Sequence, residues 1–224
     1  MNVVKCENVS KVFYQASETI YALREVSLSI DSSEFVCLSG PSGSGKSTLL
    51  NMIGSLDKPT EGNIWLAGHK LNNLNKSEIS NLRLNEIGFV FQAYNLIPVL
   101  SARENVEFVM HLQGINTLER TKRAMNILSQ VGLAGLENRR PAELSGGQQQ
   151  RVAVARAIVS RPKLVLADEP TANLDSVTAQ SLVALMRHMN EQEGITFIFS
   201  THDPVVMSSA KRIIKLKDGE IVSA

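Results

Sequence analysis

Two cysteines in 224 residues leave no disulfide framework to build on. Cys6 and Cys37 lie in separate apolar stretches without C-x-x-C spacing, so both read as buried free thiols in a reducing compartment. Charge of one sign is also missing. The 23 Lys and Arg against 22 Asp and Glu give a formal net charge of +1, so bulk charge recruits neither nucleic acid nor an anionic membrane surface. No segment approaches the ~18 consecutive apolar residues of a membrane span, and the N-terminus lacks the basic and apolar regions of a secretory leader. The expectation is a protein that stays in the cytoplasm unless a partner holds it at a membrane. No internal repeat or low-complexity tract is visible, and the lone tryptophan, Trp65, lies in a strand and reads as packing. What remains is an apolar fraction of 43%, ordinary for a globular core at this length.

Against this background two glycine-rich stretches stand out, about a hundred residues apart. Gly40-Pro41-Ser42-Gly43-Ser44-Gly45-Lys46-Ser47 fits the phosphate-cradling pattern G-x-x-x-x-G-K-[ST], and Thr48 follows it into a helix. In that pattern glycines let backbone N–H groups converge on a triphosphate, the lysine reaches the outer phosphates and the serine hydroxyl meets Mg²⁺. Leu144-Ser145-Gly146-Gly147-Gln148 is the second, placed before a helical run over 148–159, so another helix start with unpaired N–H donors faces an anion. One nucleotide seldom needs two such helix starts from one chain. The second therefore points to a neighbour's nucleotide.

The coarse pattern agrees with an α/β chain. Strands are expected over 3–9 and 26–30 with a polar connection, then over 35–39 running straight into the glycine loop, with a helix over 47–56 after it. A strand over 63–67, a polar helix over 76–85 and a strand over 87–91 ending at Gln92 follow. Residues 101–135 change to helical periodicity broken at Gly114 and Gly132, which marks an inserted helical subdomain. Strand and helix then alternate again: 163–167, 175–190, 195–200, and a closing pair over 212–216 and 220–222.

Asp168-Glu169 ends an apolar strand, where ligands of open α/β folds sit. Asp168 suits Mg²⁺ and Glu169 suits an attacking water, although an isolated acidic pair also fits a solvated strand end. Gln92 and His202 follow strands expected to neighbour the glycine-loop strand; each alone would equally be a loop polar group. Phe13 and Tyr14 are candidates for stacking on a base, against the reading that they are core or rim aromatics. The apolar run from Tyr94 to Leu100 is either a buried loop or a groove for a partner helix.

Taken together these residues resemble the nucleotide-binding subunits of ATP-binding cassette (ABC) transporters, almost end to end. Residues 40–47 match the family's Walker A motif, 144–148 its signature and 164–169 its Walker B with catalytic glutamate. Gln92 falls at the Q-loop glutamine, Ala172-Asn173-Leu174-Asp175 at the D-loop and His202 at the switch histidine. Residues 91–98 with Glu104-Asn105-Val106 look like the branch that holds the lipoprotein-releasing ATPase LolD, the ATPase domain of MacB and the cell-division ATPase FtsE. Ala172 stands where that branch often has Gly, and by spacing Phe13 rather than Tyr14 falls at the adenine-stacking tyrosine.

The resemblance implies an α/β P-loop NTPase core with an N-terminal antiparallel β subdomain. It also implies one ATPase domain over 1–224, with a helical subdomain inserted over about 101–160. A head-to-tail homodimer would hold two ATP molecules, each between Walker A of one subunit and the signature of the other. Lys46 and the loop amides would bind the β- and γ-phosphates, Ser47, Gln92 and Asp168 would hold Mg²⁺, and Glu169 would polarise water. His202 and the opposite Ser145 and Gly147 would stabilise the transferred group. Gly146, Gln148 and Asp175 complete the nucleotide-contacting set. A separately encoded membrane permease would dock at the cytoplasmic face of the inner membrane, for export of lipoprotein, peptide, macrolide or haem, or for mechanotransmission. An FtsE-like regulator of cell-wall enzymes that transports nothing is the alternative. A soluble repair or translation ATPase would need a coiled coil or a second cassette.

Overall fold

The computed structural model describes residues 2–15 and 18–223. Its first layer is an antiparallel sheet in which β1 (Asn2–Gln15) pairs with β2 (Glu18–Asp31) on one side and with β4 (Glu61–Leu66) on the other; β5 (His69–Lys70) forms the edge. Both hairpin strands run far past the expected 3–9 and 26–30. The register slips between Cys6 and Val9 and again between Val9 and Lys11, and Asn8 and Glu25 have φ of 48° and 45°. Bulges of this kind reset which face each side chain takes, which erases the period-two pattern without ending the strand.

The second sheet has the order β10-β9-β3-β8-β7-β6. β3 (Phe35–Ser39), β6 (Ile87–Phe91), β7 (Leu164–Asp168), β8 (Thr196–Thr201) and β9 (Arg212–Lys217) are parallel, and only β10 (Glu220–Ser223) returns antiparallel. Every residue of β3 and β8 is buried, as expected of central parallel strands covered on both faces.

Between the two sheets lies α1 (Lys46–Ile53), whose Leu49 and Ile53 join Val4, Ile30, Leu38, Ile64 and Ile198 in one core. The helix was expected to reach residue 56 and stops earlier, because Gly54 caps it and Ser55 turns to φ 57°. On the sheet's other face α6 (Ser176–Glu193) sets Val183 and Met186 against Phe35, Phe197 and Phe199. The ring of Phe35 lies 5.7 Å and 5.0 Å from those of Phe197 and Phe199.

A third core is helical. α3 (Ala102–Leu112) starts at a reciprocal Ser101/Glu104 cap, and α4 (Thr117–Gln130) starts at Asn116. Gly114 and Gly132 adopt φ of 76° and 77° just past the two helix ends, the breaks read from the sequence. α5 (Gly146–Ile158) belongs to two cores at once: Val152 and Ala155 pack with Val106, Met110 and Leu128, while Val154 and Ile158 pack with Val90 and Val165 of the sheet. Also helical are α2 (Lys76–Glu86), with an Asn75/Glu78 cap, and the short α7 (Pro204–Met207).

Candidate functional site

Parallel order aligns the carboxyl ends of β3, β8, β7 and β6 along one edge of the sheet. In that sequence they carry the glycine loop, His202, the Asp168-Glu169 pair and Gln92. One expectation is corrected by this order. β8 does neighbour the glycine-loop strand, but β6 stands beyond β7, so Gln92 lies on the far side of the acidic pair.

The glycine loop closes between β3 and α1 with φ of 152° at Gly40, 78° at Gly43 and 101° at Gly45. A side chain at Gly40 would lie 2.2 Å from the Leu216 carbonyl oxygen, and one at Gly45 would lie 2.6 Å from that of Ala22. Glycine is thus required both by the left-handed backbone and by the backbones pressed against the loop. Lys46 is buried, and its Nζ donates to the carbonyls of Gly40 (2.8 Å) and Pro41 (3.0 Å). Both partners are neutral, which reserves the ammonium charge for an anion. The buried Ser44 Oγ has no hydrogen-bond partner, an orphan polar atom inside the same cradle. Pro41, Ser42 and Ser47 are exposed around it, and Thr48 is half-buried on α1.

At the end of β7, Glu169 takes φ 44°, a left-handed conformation unusual for a glutamate. His202 Nδ1 lies 3.2 Å from its Oε1 and 3.1 Å from its Oε2. Asp168 Oδ1 accepts a 2.6 Å hydrogen bond from Ser200 Oγ. Gln92 is exposed, and its carbonyl accepts from Asn173 Nδ2 at 3.0 Å, which ties the segment after β6 to the segment before α6.

The second glycine motif opens α5. The sequence suggested that Ser145 and both glycines precede the helix, but only Ser145 does. It caps reciprocally with Gln148, whose N donates to Ser145 Oγ (3.3 Å) and whose Oε1 accepts from Ser145 N (2.9 Å). Gly146 and Gly147 are therefore the first helical residues. A side chain on Gly146 would meet Tyr94 OH at 2.8 Å, and one on Gly147 would meet Thr178 Cγ2 at 2.6 Å. Asp175 caps α6: its Oδ1 accepts from Val177 N and Thr178 N, and its Oδ2 from Thr178 Oγ1 at 2.6 Å. The Thr178 hydroxyl, with these amides, holds the carboxyl below its ordinary range.

Phe13 and Tyr14 part company. Phe13 pairs with Ile20 and shares its face with Lys11, whose Nζ sits 5.0 Å from the ring; Lys11 pairs with Leu23, which packs against Gly45. Tyr14 lies on the opposite face with Val12 and Tyr21 and is 78% exposed. The run after Gln92 divides as well. Leu96 packs against the helical core and Val99 is 70% exposed. Ile97 joins Leu56, Phe89, Phe108 and Leu112 around an apolar groove of about 450 Å³. Cys6 and Cys37 are buried as expected, and burial pushes both thiols up to about 12, with the Lys46 charge acting the other way on Cys37.

Three supporting residues escaped the sequence reading. Gln150, fully buried on α5, donates to the carbonyl of Pro170 at 2.7 Å. Arg156, further along α5, grips the carbonyls of Tyr94 (3.0 Å) and Asn95 (2.6 Å), and burial holds its guanidinium below its usual range. Ser200 is the third. Of the three, Arg156 interrupts an apolar run and Ser200 closes one, signals that mark a position without naming the partner, whereas Gln150 follows two other glutamines and carries no such mark.

The comparisons agree with this geometry. The model of the family described as "ABC transporter" matches residues 23–172, more than half of the chain. The ABC transporter ATP-binding protein MJ0796 of Methanocaldococcus jannaschii is 48% identical over 98% of this chain and 95% of its own length. A macrolide export ATP-binding/permease protein MacB of Yersinia pestis is 44% identical over 99% of this chain, which spans 32% of that protein. A solved dimeric, post-hydrolysis structure of MJ0796 bound to ADP and Pi superposes with a TM-score of 0.91 at 47% identity, covering 98% of this chain and 97% of that one. With a Walker A loop, an acidic strand end and a capped signature helix assembled on one matching fold, the chain belongs to the ABC transporter family as an ATP-binding, ATPase cassette.

Proposed function

We propose that two copies of this chain close head to tail around two ATP molecules, and that hydrolysis reopens them to do work on a separate membrane permease. The observation that carries this reading is the dimeric relative bound to ADP and Pi. It is supported by the two anion-binding helix starts, which hang from different parts of the chain. The glycine loop is tied to residues 216–219 and the signature to Tyr94 and Thr178.

In each composite site, Lys46 and the amides of residues 43–48 bind the outer phosphates, and Phe13 offers its ring to the adenine from the Leu23 face. Ser47, Gln92 and Asp168 present only hard oxygen donors, a set that fits Mg²⁺; when bound, the ion supplies neutralisation of charge on the β- and γ-phosphates. Glu169 orients and deprotonates the attacking water, His202 holds the Glu169 carboxylate in place, and the partner's Ser145 with its helix start stabilises charge on the γ-phosphoryl. Loss of that group removes the bridge between the subunits.

Shared sites make a specific demand. Lys46→Ala should lose nucleotide binding, and Ser145→Arg should bind ATP without hydrolysing it. A mixture of the two forms heterodimers in which one composite site carries both lesions and the other carries none. ATPase activity should return on mixing, to about a quarter of wild type if the sites act independently. Activity no greater than the sum of the separate variants would sink the shared site.

The permease is proposed to seat a short cytoplasmic helix in the apolar groove beside Phe108 and Leu112, which would place this cassette at the inner face of the membrane. Leu112 is 57% exposed and belongs to none of the three cores. Leu112→Asp should therefore leave melting temperature and ATP affinity unchanged while reducing co-purification of the membrane protein at least tenfold. Undiminished co-purification of the folded variant would move the docking surface elsewhere.

A further inference from the structure

Ser200 stands where the core would take an aliphatic residue. On β8 it follows Ile198 on the same face and pairs with Leu38 of β3, in the layer that packs on α1, and it is completely buried. Its hydroxyl nonetheless makes two hydrogen bonds that meet at the acidic pair. Oγ accepts from the Glu169 N–H at 2.8 Å and donates to Asp168 Oδ1 at 2.6 Å. A hydroxyl has one proton, and since the oxygen is the acceptor toward Glu169, that proton is committed to Asp168.

We propose that Ser200 is a positioning residue for ATP hydrolysis, setting the rotation of the Asp168 carboxylate and the peptide that aims Glu169. This rests on the roles given above to Asp168 and Glu169. The left-handed turn at Glu169 is held from one side by the Ser200 acceptor and from the other by the Ala172 N–H, which donates to the Glu169 carbonyl at 3.2 Å. Occupation of Oδ1 by a short charge-assisted bond directs the cation or its water to Oδ2. One side chain on a neighbouring strand thus fixes both the metal-side carboxylate and the base-side backbone, and it touches neither substrate nor water.

Thr and Val at position 200 have nearly the same shape, suit a strand, and differ in the hydroxyl. Ser200→Thr should keep kcat within about twofold of wild type, whereas Ser200→Val should lower it about tenfold or more with KM for ATP little changed. A second readout involves no turnover: the gain in affinity for a non-hydrolysable ATP analogue on adding Mg²⁺ should shrink for Val and persist for Thr. Should the added methyl prevent folding in both, Ser200→Ala against wild type carries the same comparison. Agreement of Val with Thr, or of Ala with wild type, in both readouts would overturn the proposal. Asp168→Asn, measured beside them, separates the two layers of the argument. If it loses Mg²⁺-dependent binding while Val and Thr agree, only the role of Ser200 falls; if it binds and hydrolyses as wild type, the reading of the carboxylates falls too.

Discussion

Glu169→Gln should slow ATP hydrolysis by about 10²- to 10³-fold while leaving Mg-ATP binding intact, because the amide keeps the shape of the side chain and loses its charge and basicity. The substitution is gentle on the fold: Glu169 is half-buried, its amide is held by Ser200 through the backbone, and His202 is a neighbour that an amide oxygen also satisfies. With hydrolysis blocked, ATP should accumulate a closed dimer visible as a shift to twice the mass by size-exclusion chromatography with light scattering. A variant that remains monomeric at saturating ATP and Mg²⁺ would contradict spontaneous closure of the isolated subunit. One that hydrolyses at the wild-type rate would remove Glu169 from the chemistry.

Gly88→Ala should lower the melting temperature by about 5 to 10 °C, corresponding to about 2–3 kcal/mol of overpacking in a chain of this size. A Cβ at Gly88 would lie 2.2 Å from the Ala157 carbonyl oxygen and 2.9 Å from its carbon, both backbone atoms of α5. Relief requires the helix to lift off β6, and that helix carries the signature at its other end, so ATPase activity should fall with stability. Gly135→Ala is the matched control: φ is +84° but no atom lies within 4 Å of the added carbon. It should cost only about 1 kcal/mol, the penalty of the left-handed backbone. Equal melting temperatures for the two variants would show that β6 and α5 are not locked at Gly88.

The parts of the site that could be read from the sequence are those whose residues are contiguous. A glycine loop between an apolar strand and a helix, an acidic pair ending a strand, and a serine before two glycines each carry their own local context. Strand order has no such local mark. Gln92 was expected beside the glycine-loop strand and lies two strands beyond β8's place next to it, because nothing in residues 87–91 states which strand β6 will pair with. The opposite faces taken by Phe13 and Tyr14 follow register shifts near Val9 and Lys11 that the sequence does not mark. Leu96 and Val99, alike in sequence, separate only once the loop has folded over Asn105, a buried side chain that bonds the backbone of Ile97 and Leu100. Ser200 is the extreme case. A serine that closes an apolar run and precedes Thr201 and His202 looks like no more than the polar end of a strand until the neighbouring carboxylate is in place.

Arg156 turns the loop after Gln92 and the helix α5 into a single lever. Tyr94 presses its hydroxyl on the helix start at Gly146, and ten residues along the same helix Arg156 clasps the carbonyls of Tyr94 and Asn95, two successive residues at φ 60° and 50°. Sliding the loop along the helix would strip a half-buried guanidinium of both acceptors, a loss of about 1–3 kcal/mol or more for a charged group. Swinging loop and helix as one piece breaks neither contact. Any displacement of the loop after Gln92 is therefore shared with the start of α5, where Ser145 caps the helix.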